Sequence, residues 1–464
     1  MNGIRMTTSH SGATAIAMAV LLTLGLLVVP GAVSTASADS QYDSWSFPDG
    51  YAADEDPASM HRAASGIRAT RLWNRGITGQ GIDVALIDTG VRPTPVLSRD
   101  ALLAGPSFAA PEAERPSGPP YGRRDTLPES LRDPDGHGTH LAAIIAGSSG
   151  GPETYGDRTA FTGIAPDARI VSVRVGQEDG NASLDQVVSA IEWVIENRNT
   201  DGRNIRVLNL SLAADPADSP TDDILAHAVT LAWDAGIVVV AAAGNDGGGH
   251  RLASPAYEPR IISVGALDHA DSTKAGDAQP DPSSSGTTRG RERPDIWAPG
   301  RSIPSAIALG SAVADNAEAV RLGDTLVRGS GTSQATAVVS GAAALVLSAH
   351  PELTPDEVAG LLHAGAEPIE VDGEDVPNAR LDLDESLDDV DDDDDIRRDT
   401  SPITRIVAGY SAADPDTWNL GGGEDVHAGD PEYVGARWVG ARWVGARWVG
   451  ARWVGARWVM EGWE

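Results

Sequence analysis

Five short, almost wholly apolar runs recur through the middle of the chain: Ile82–Ile87 (IDVALI), Ile170–Val175 (IVSVRV), Val207–Leu212 (VLNLSL), Ile237–Ala243 (IVVVAAA) and Ile261–Leu267 (IISVGAL). Each is short and mostly apolar and lies close to Gly, Asp or Asn. That is the pattern of strands buried on both faces, and so of a parallel sheet. Between and after them lie helix candidates, Leu184–Asn197, Asp222–Ala235, Ser333–Ala349 and Thr354–Ala364. The alternation predicts an α/β fold: a three-layer, mostly parallel sheet covered by helices on both faces. In such a sheet the ligand crevice lies outside the carboxyl ends of the strands, so residues just after each strand are the first candidates for function. The stretch Val91–Arg132, rich in Pro, Gly and charge, interrupts the pattern and reads as a long surface insertion.

The ends of the chain follow other rules. Arg5 precedes a charge-free apolar run, Ala15–Val29, followed by Pro30 and the small residues Ala36, Ser37 and Ala38. The run is shorter than the roughly 20 residues a membrane-spanning helix needs, and an AxA cleavage pattern follows it. Residues 1–38 are therefore expected to be a signal peptide. A short polar leader, 39–64, separates it from the α/β region, 65–387. Composition shifts again at Asp388, and the run Asp391–Asp395 marks 388–400 as a solvated acidic linker, since consecutive like charges repel and cannot pack. The tail, 401–464, carries GARWV five times without interruption from Gly435 to Val459, and six of the 12 tryptophans lie between Trp438 and Trp463. A five-residue period advances about 140° on a helix and flips faces on a strand, so neither geometry gives one apolar stripe. The tail reads as a low-complexity arm. Its Trp and Arg fit contact with a cell wall or polysaccharide, and repeat slippage in the coding sequence accounts for it equally well.

With no cysteine, the chain has no disulfide framework, no thiol nucleophile and no cysteine-ligated metal. The formal charge of −32 argues against a nucleic-acid partner, because phosphates would be repelled. Lys274 is the single lysine, so the positive charge is almost entirely arginine.

The candidate chemistry sits where the fold predicts a crevice. The first strand runs into Asp88, Thr89 and Gly90. Asp135, Gly136, His137, Gly138, Thr139 and His140 then lead into an apolar helix. Far downstream Gly329, Ser330, Gly331, Thr332 and Ser333 open the helix Ser333–Ala349. Its amino end, with free backbone N–H groups and the positive end of the dipole, favours developing negative charge at Ser333. Singly, these are a turn, a structural histidine and an N-cap. In the order Asp, His, Ser, on strand-end and helix-start contexts, they match a serine-hydrolase triad.

At these residues the chain resembles the subtilisin-like serine peptidases (the subtilase, or peptidase S8, family). The matching segments are Val84–Gly90 (VALIDTG), Gly136–Ala142 (GHGTHLA), Gly163–Pro166 (GIAP), Asn209–Leu212 (NLSL), Ala241–Asn245 (AAAGN), Ala298–Gly300 (APG) and Gly331–Ala335 (GTSQA). The resemblance implies a secreted serine endopeptidase acting on proteins or peptides, with Ser333 as nucleophile, His137 as general base and Asp88 as its orienting carboxylate. It also implies Asn245 as oxyanion donor, Ser211, Leu212 and Ala213 as a substrate-binding edge, and Ala242, Ala243 and Gly244 lining the specificity pocket. His140 and Thr139 are then structural. The chemistry requires no cofactor. Structural calcium is an expectation carried by the resemblance, and the sequence assigns it no ligands; a monomer is expected. A cell-surface binding protein, with the fold as scaffold and the repeats as binding element, is the alternative. Two departures stand out. Gln334 replaces the methionine usual after the nucleophile, and Ala213 and Ala214 stand where a glycine pair is usual. The leader is also too short for an independently folded inhibitory propeptide, so the enzyme is expected to fold without one or to keep its leader.

Overall fold

The computed structural model describes residues 51–109, 127–177, 180–214, 223–245, 252–269, 279–280, 294–316, 321–371, 374–383, 442–443 and 457–458. The expected signal peptide, the first part of the leader, the acidic linker and nearly all of the tail lie outside the described residues.

In chain order the body begins with two short helices, Met60–Gly66 (α1) and Ala69–Asn74 (α2), then Asp83–Asp88 (β1), Leu102–Ser107 (β2), His137–Ala146 (α3) and Arg169–Arg174 (β3). Leu184–Asn197 (α4), Ile205–Leu210 (β4), Ile224–Asp234 (α5), Val238–Ala242 (β5) and Ile262–Asp268 (β6) complete the regular alternation. After Gln279–Pro280 (β7) come Ile296–Pro299 (β8), Ile303–Ala306 (β9), Ala312–Asn316 (α6), Arg321–Leu322 (β10) and Leu326–Gly329 (β11). Thr332–Ala349 (α7), Pro355–Ala364 (α8), Glu367–Val371 (β12) and Glu374–Arg380 (β13) close the body.

The main sheet has the order β12-β13-β8-β6-β5-β4-β1-β3-β2, with β7 attached to β6. Every pairing from β2 across to β8 is parallel. The five apolar runs are its central strands, β1 and β5 buried at every position. Helix α4 buries Val187, Ala190, Ile191 and Val194, the i, i+3, i+4, i+7 stripe of an amphipathic helix lying on a sheet. Its start is fixed by a capping box between Ser183 and Gln186. Helix α7 differs: Thr332 to Leu347 are all buried. Its small residues let it lie against α3 and strands β4, β5, β6 and β8, and although apolar enough to cross a membrane it is a core helix.

Two boundaries differ from expectation. Val91, Val96, Leu97 and Leu131 are buried, and β2 adds to the edge of β3, so the described parts of the expected surface insertion belong to the body. The segment LLAGPS hides its strand character because its proline is tolerated on an edge and its Gly105 is needed there: a Cβ would lie 2.7 Å from the Ser172 carbonyl. The leader likewise joins the fold before residue 65. Ala53, Ala58, Met60, Ala63 and Ala64 are buried, and Ser59 caps α1 by accepting from the Arg62 N–H. Alanines this small give too weak a periodic signal to be read as core.

Candidate active site

β1 ends on Asp88, whose side chain is fully buried. Its Oδ1 accepts the Thr89 backbone N–H at 2.7 Å. α3 begins on His137 and is preceded by Gly136 with φ of 108°, a conformation that favours glycine. A Cβ on Gly136 would also lie 2.6 Å from Ser311 Oγ and 2.8 Å from Val313 Cβ. The strand end and the helix start are in backbone contact, since a Cβ on Gly138 would fall 2.1 Å from the Gly90 carbonyl and 3.0 Å from Asp88 Oδ1. This approach brings His137 Nδ1 to 2.9 and 3.1 Å from the two Asp88 oxygens. Nδ1 is therefore the protonated nitrogen, and Nε2 is the atom left to accept a proton.

Burial pulls the His137 pKa down, but the neighbouring Asp88 carboxylate, its hydrogen bond, and the charges of Asp135 and Asp133 together hold it above the ordinary histidine value. Asp135 is pushed up to about 7 by burial and by the charge of Asp133, although it accepts the His137 N–H at 3.0 Å. His140, one turn on in α3, is buried and its pKa falls to about 3, chiefly from loss of solvation and also from the proximity of His137, so it is a neutral structural side chain.

Ser333 lies in the first turn of α7, fully buried, and its Oγ has no hydrogen-bonding partner in the protein. The turn before it is set by glycines: Gly331 N–H donates to the Gly300 carbonyl at 2.8 Å, and a Cβ on Gly300 would lie 2.8 Å from the Gly331 carbonyl. Asn245, just past β5, is buried. Its Oδ1 accepts the Thr332 N–H at 3.0 Å and the Thr332 hydroxyl at 3.1 Å. With its oxygen engaged on the residue preceding Ser333, Asn245 offers its Nδ2 as a donor.

Ser211 is fully buried and faces α7: its hydroxyl donates to the Ser333 carbonyl at 3.3 Å and accepts Asn209 Nδ2 at 3.0 Å. Asn209 Oδ1 in turn accepts the Ser340 hydroxyl at 2.9 Å. The NLSL segment thus ties α7 to β4. Leu212 is buried, and beyond it Ala214 pairs with Ser254 in both directions, at 2.9 and 3.0 Å. Ala213, Ala242 and Ala253 pack together, Ala243 is buried, and Gly244 has φ of 116°. A small cluster of alanine methyl groups therefore lies at the ends of β4 and β5.

Sequence reasoning passed over Asp133 and Thr89. Asp133, four residues before His137, is buried and accepts from Thr89, Gly136 and Thr139. The available signal was an aspartate just outside a helix start, a capping position. Among the described residues no group of three or more His, Cys, Asp or Glu side chains is arranged to hold a metal ion.

The chain is similar to known proteins over most of the described body. The model of the subtilase family matches residues 79–391. The serine protease AprX of Bacillus subtilis is 36% identical over 63% of this chain, and the match spans 62% of AprX. A subtilisin of Bacillus pumilus is 31% identical over 66% of this chain and 92% of its own length. A crystal structure of a cold adapted subtilisin-like serine proteinase aligns with 26% identity and a TM-score of 0.46, over 66% of this chain and 90% of that one.

Proposed function

Because the chain belongs to the subtilase family of serine endopeptidases, we propose that it hydrolyses peptide bonds through Ser333, His137 and Asp88. The observation that carries this reading is the fixed imidazole, with Nδ1 held by both Asp88 oxygens, on a helix that packs against the one presenting Ser333. Ser333 Oγ attacks the scissile carbonyl carbon while His137 Nε2 takes its proton. The carbonyl oxygen becomes an oxyanion, held by Asn245 Nδ2 and the Ser333 N–H. Collapse expels the amine, which receives the proton from His137, and leaves an acyl-enzyme. Water, deprotonated by His137, then attacks the acyl carbon, releases the acid and returns the proton to Ser333. Asp88 keeps the tautomer and stabilises the imidazolium throughout.

Ser211, Leu212 and Ala213 supply the edge on which an extended substrate lies, and here Ser211 acts through its main chain, its hydroxyl being turned to α7. Ala242, Ala243 and Gly244 line the primary specificity pocket through their main chain, the Ala242 methyl packing with Ala213 and Ala253 and the Ala243 methyl turned to Ala226, Leu252 and Tyr257. The enzyme is exported, acts outside the cell as a monomer and retains its leader from Tyr51 onward. Digestion of a peptide library by the purified protein tests the reading. Wild type should cleave, Ser333→Ala should not, and Asn245→Ala should lose about 100- to 1000-fold in kcat with little change in KM. Cleavage undiminished in Ser333→Ala would refute it.

A further inference from the structure

Asp133 has no role in the chemistry just described, yet it is the most heavily used carboxylate near it. Its Oδ1 accepts the Gly136 N–H at 2.7 Å and the Thr89 hydroxyl at 2.8 Å. Its Oδ2 accepts the Thr139 N–H at 2.8 Å and the Thr139 hydroxyl at 2.6 Å. Both hydroxyls already accept a backbone N–H, Thr89 from Gly138 at 3.0 Å and Thr139 from Arg92 at 2.9 Å. Each therefore has its proton directed at Asp133; burial raises the Asp133 pKa, and the four donors it faces oppose that rise and bind it as a carboxylate.

Three of these donors lie on the turn that presents His137, at one residue before it and two after. The fourth, Thr89, follows Asp88 directly. Asp133 thus bridges the chain carrying the base to the chain carrying its orienting acid. Thr89 Oγ1 also lies 3.1 Å from Asp88 Oδ1, but it has one proton, and the shorter contact is to Asp133. Asp88 Oδ1 is then left to the Thr89 N–H and His137.

We propose that Asp133 is a positioning residue of the reaction, its carboxylate fixing the His137 turn and the Thr89 hydroxyl so that the imidazole meets Asp88 in line. This role rests on the triad reading above. It also adds a charge: His137 is surrounded by Asp88, Asp135 and Asp133, while the Arg174 side chain and the Arg132 backbone carbonyl, not its guanidinium, lie against Gly90 and neutral His140 follows on α3.

The test compares Asp133→Asn and Thr89→Val with wild type on one peptide substrate, using kcat, KM, the pH profile of kcat/KM and thermal melting, with Ser333→Ala as reference. Asn at 133 sets an NH2 against a backbone N–H whichever way it turns, and removes the charge. It should lower kcat about 10- to 100-fold, the scale of a misplaced reacting group, keep KM within twofold of wild type, and move the acid limb to lower pH. Thr89→Val keeps shape and charge, so kcat should fall with KM and the acid limb unchanged. If Asp133→Asn is insoluble, Thr89→Val decides alone. Wild-type kcat in a folded Thr89→Val, or in a folded Asp133→Asn with an unmoved acid limb, would overturn the proposal. Should Ser333→Ala retain full turnover, the triad reading itself fails, an outcome distinct from these.

Discussion

Arg328 donates a guanidinium N–H to Asp56 at 2.8 Å, joining the leader to β11, the strand that runs into the Ser333 turn. The Tyr51 hydroxyl donates to the same carboxylate oxygen at 2.6 Å, the Ala58 N–H donates to the other at 2.9 Å, and the Arg328 guanidinium lies 5.8 Å over the Tyr51 ring. Arg328 also donates to the Ser302 carbonyl at 3.1 Å. Asp56 is nearly buried, so its removal leaves a cation short of its partner in a sparsely solvated place. Asp56→Ala should cost about 1 to 3 kcal/mol of stability. Truncation to Met60 should cost more and lower kcat, because the strand before Ser333 loses its strap. N-terminal sequencing of active secreted protein should find Tyr51 retained; a fully active mature form beginning after Ser59 would contradict this.

The His137 pKa lies above the usual 6.5, and catalysis needs the neutral imidazole. Activity is therefore lost as pH falls through that raised value, and the acid limb of kcat/KM should have its midpoint above pH 6.5 at low salt. For stability the sign is opposite. A raised histidine pKa contributes stability that is full below the unfolded-state value and is lost as pH rises through the folded one. His137→Ala should therefore lose more thermal stability, relative to wild type, at pH 5 than at pH 9. An acid limb below pH 6 would mean that the acidic surround does not act on His137.

Gln334 is buried beside Ser333, and neither atom of its amide has a partner in the protein. A Cβ at Gly329 would lie 2.6 Å from its Nε2 and 2.7 Å from His140 Nε2, so both side chains occupy the same crowded spot. Methionine has similar volume and no polar group to desolvate. Gln334→Met should raise stability by about 1 to 3 kcal/mol and leave kcat within about threefold, since the attacking hydroxyl is untouched. A lower melting temperature would show that the amide has a partner worth keeping.

The central strands and the long helices were legible because burial on both faces writes itself as short runs dominated by Val, Ile, Leu and Ala. Asp88, His137 and Ser333 stand out in the sequence as strand-end and helix-start residues in a known order, and Asn245 through the family resemblance alone. β2 and the packed half of the leader were not, since Gly105, Pro106 and single alanines carry no period. Asp133 was missed for a different reason: its importance lies in four hydrogen bonds converging from two separated segments, and no local spacing records that. The inward-facing hydroxyl of Ser211 was not legible either, because it depends on α7, more than a hundred residues away in the chain.

The most direct measurement is labelling of the folded, purified protein with a fluorophosphonate, followed by mapping of the modified peptide. The account predicts stoichiometric modification at Ser333, abolished in Ser333→Ala and slowed about 1000-fold or more in His137→Ala. Labelling that persists in Ser333→Ala, or a folded wild-type protein that does not react, would contradict it.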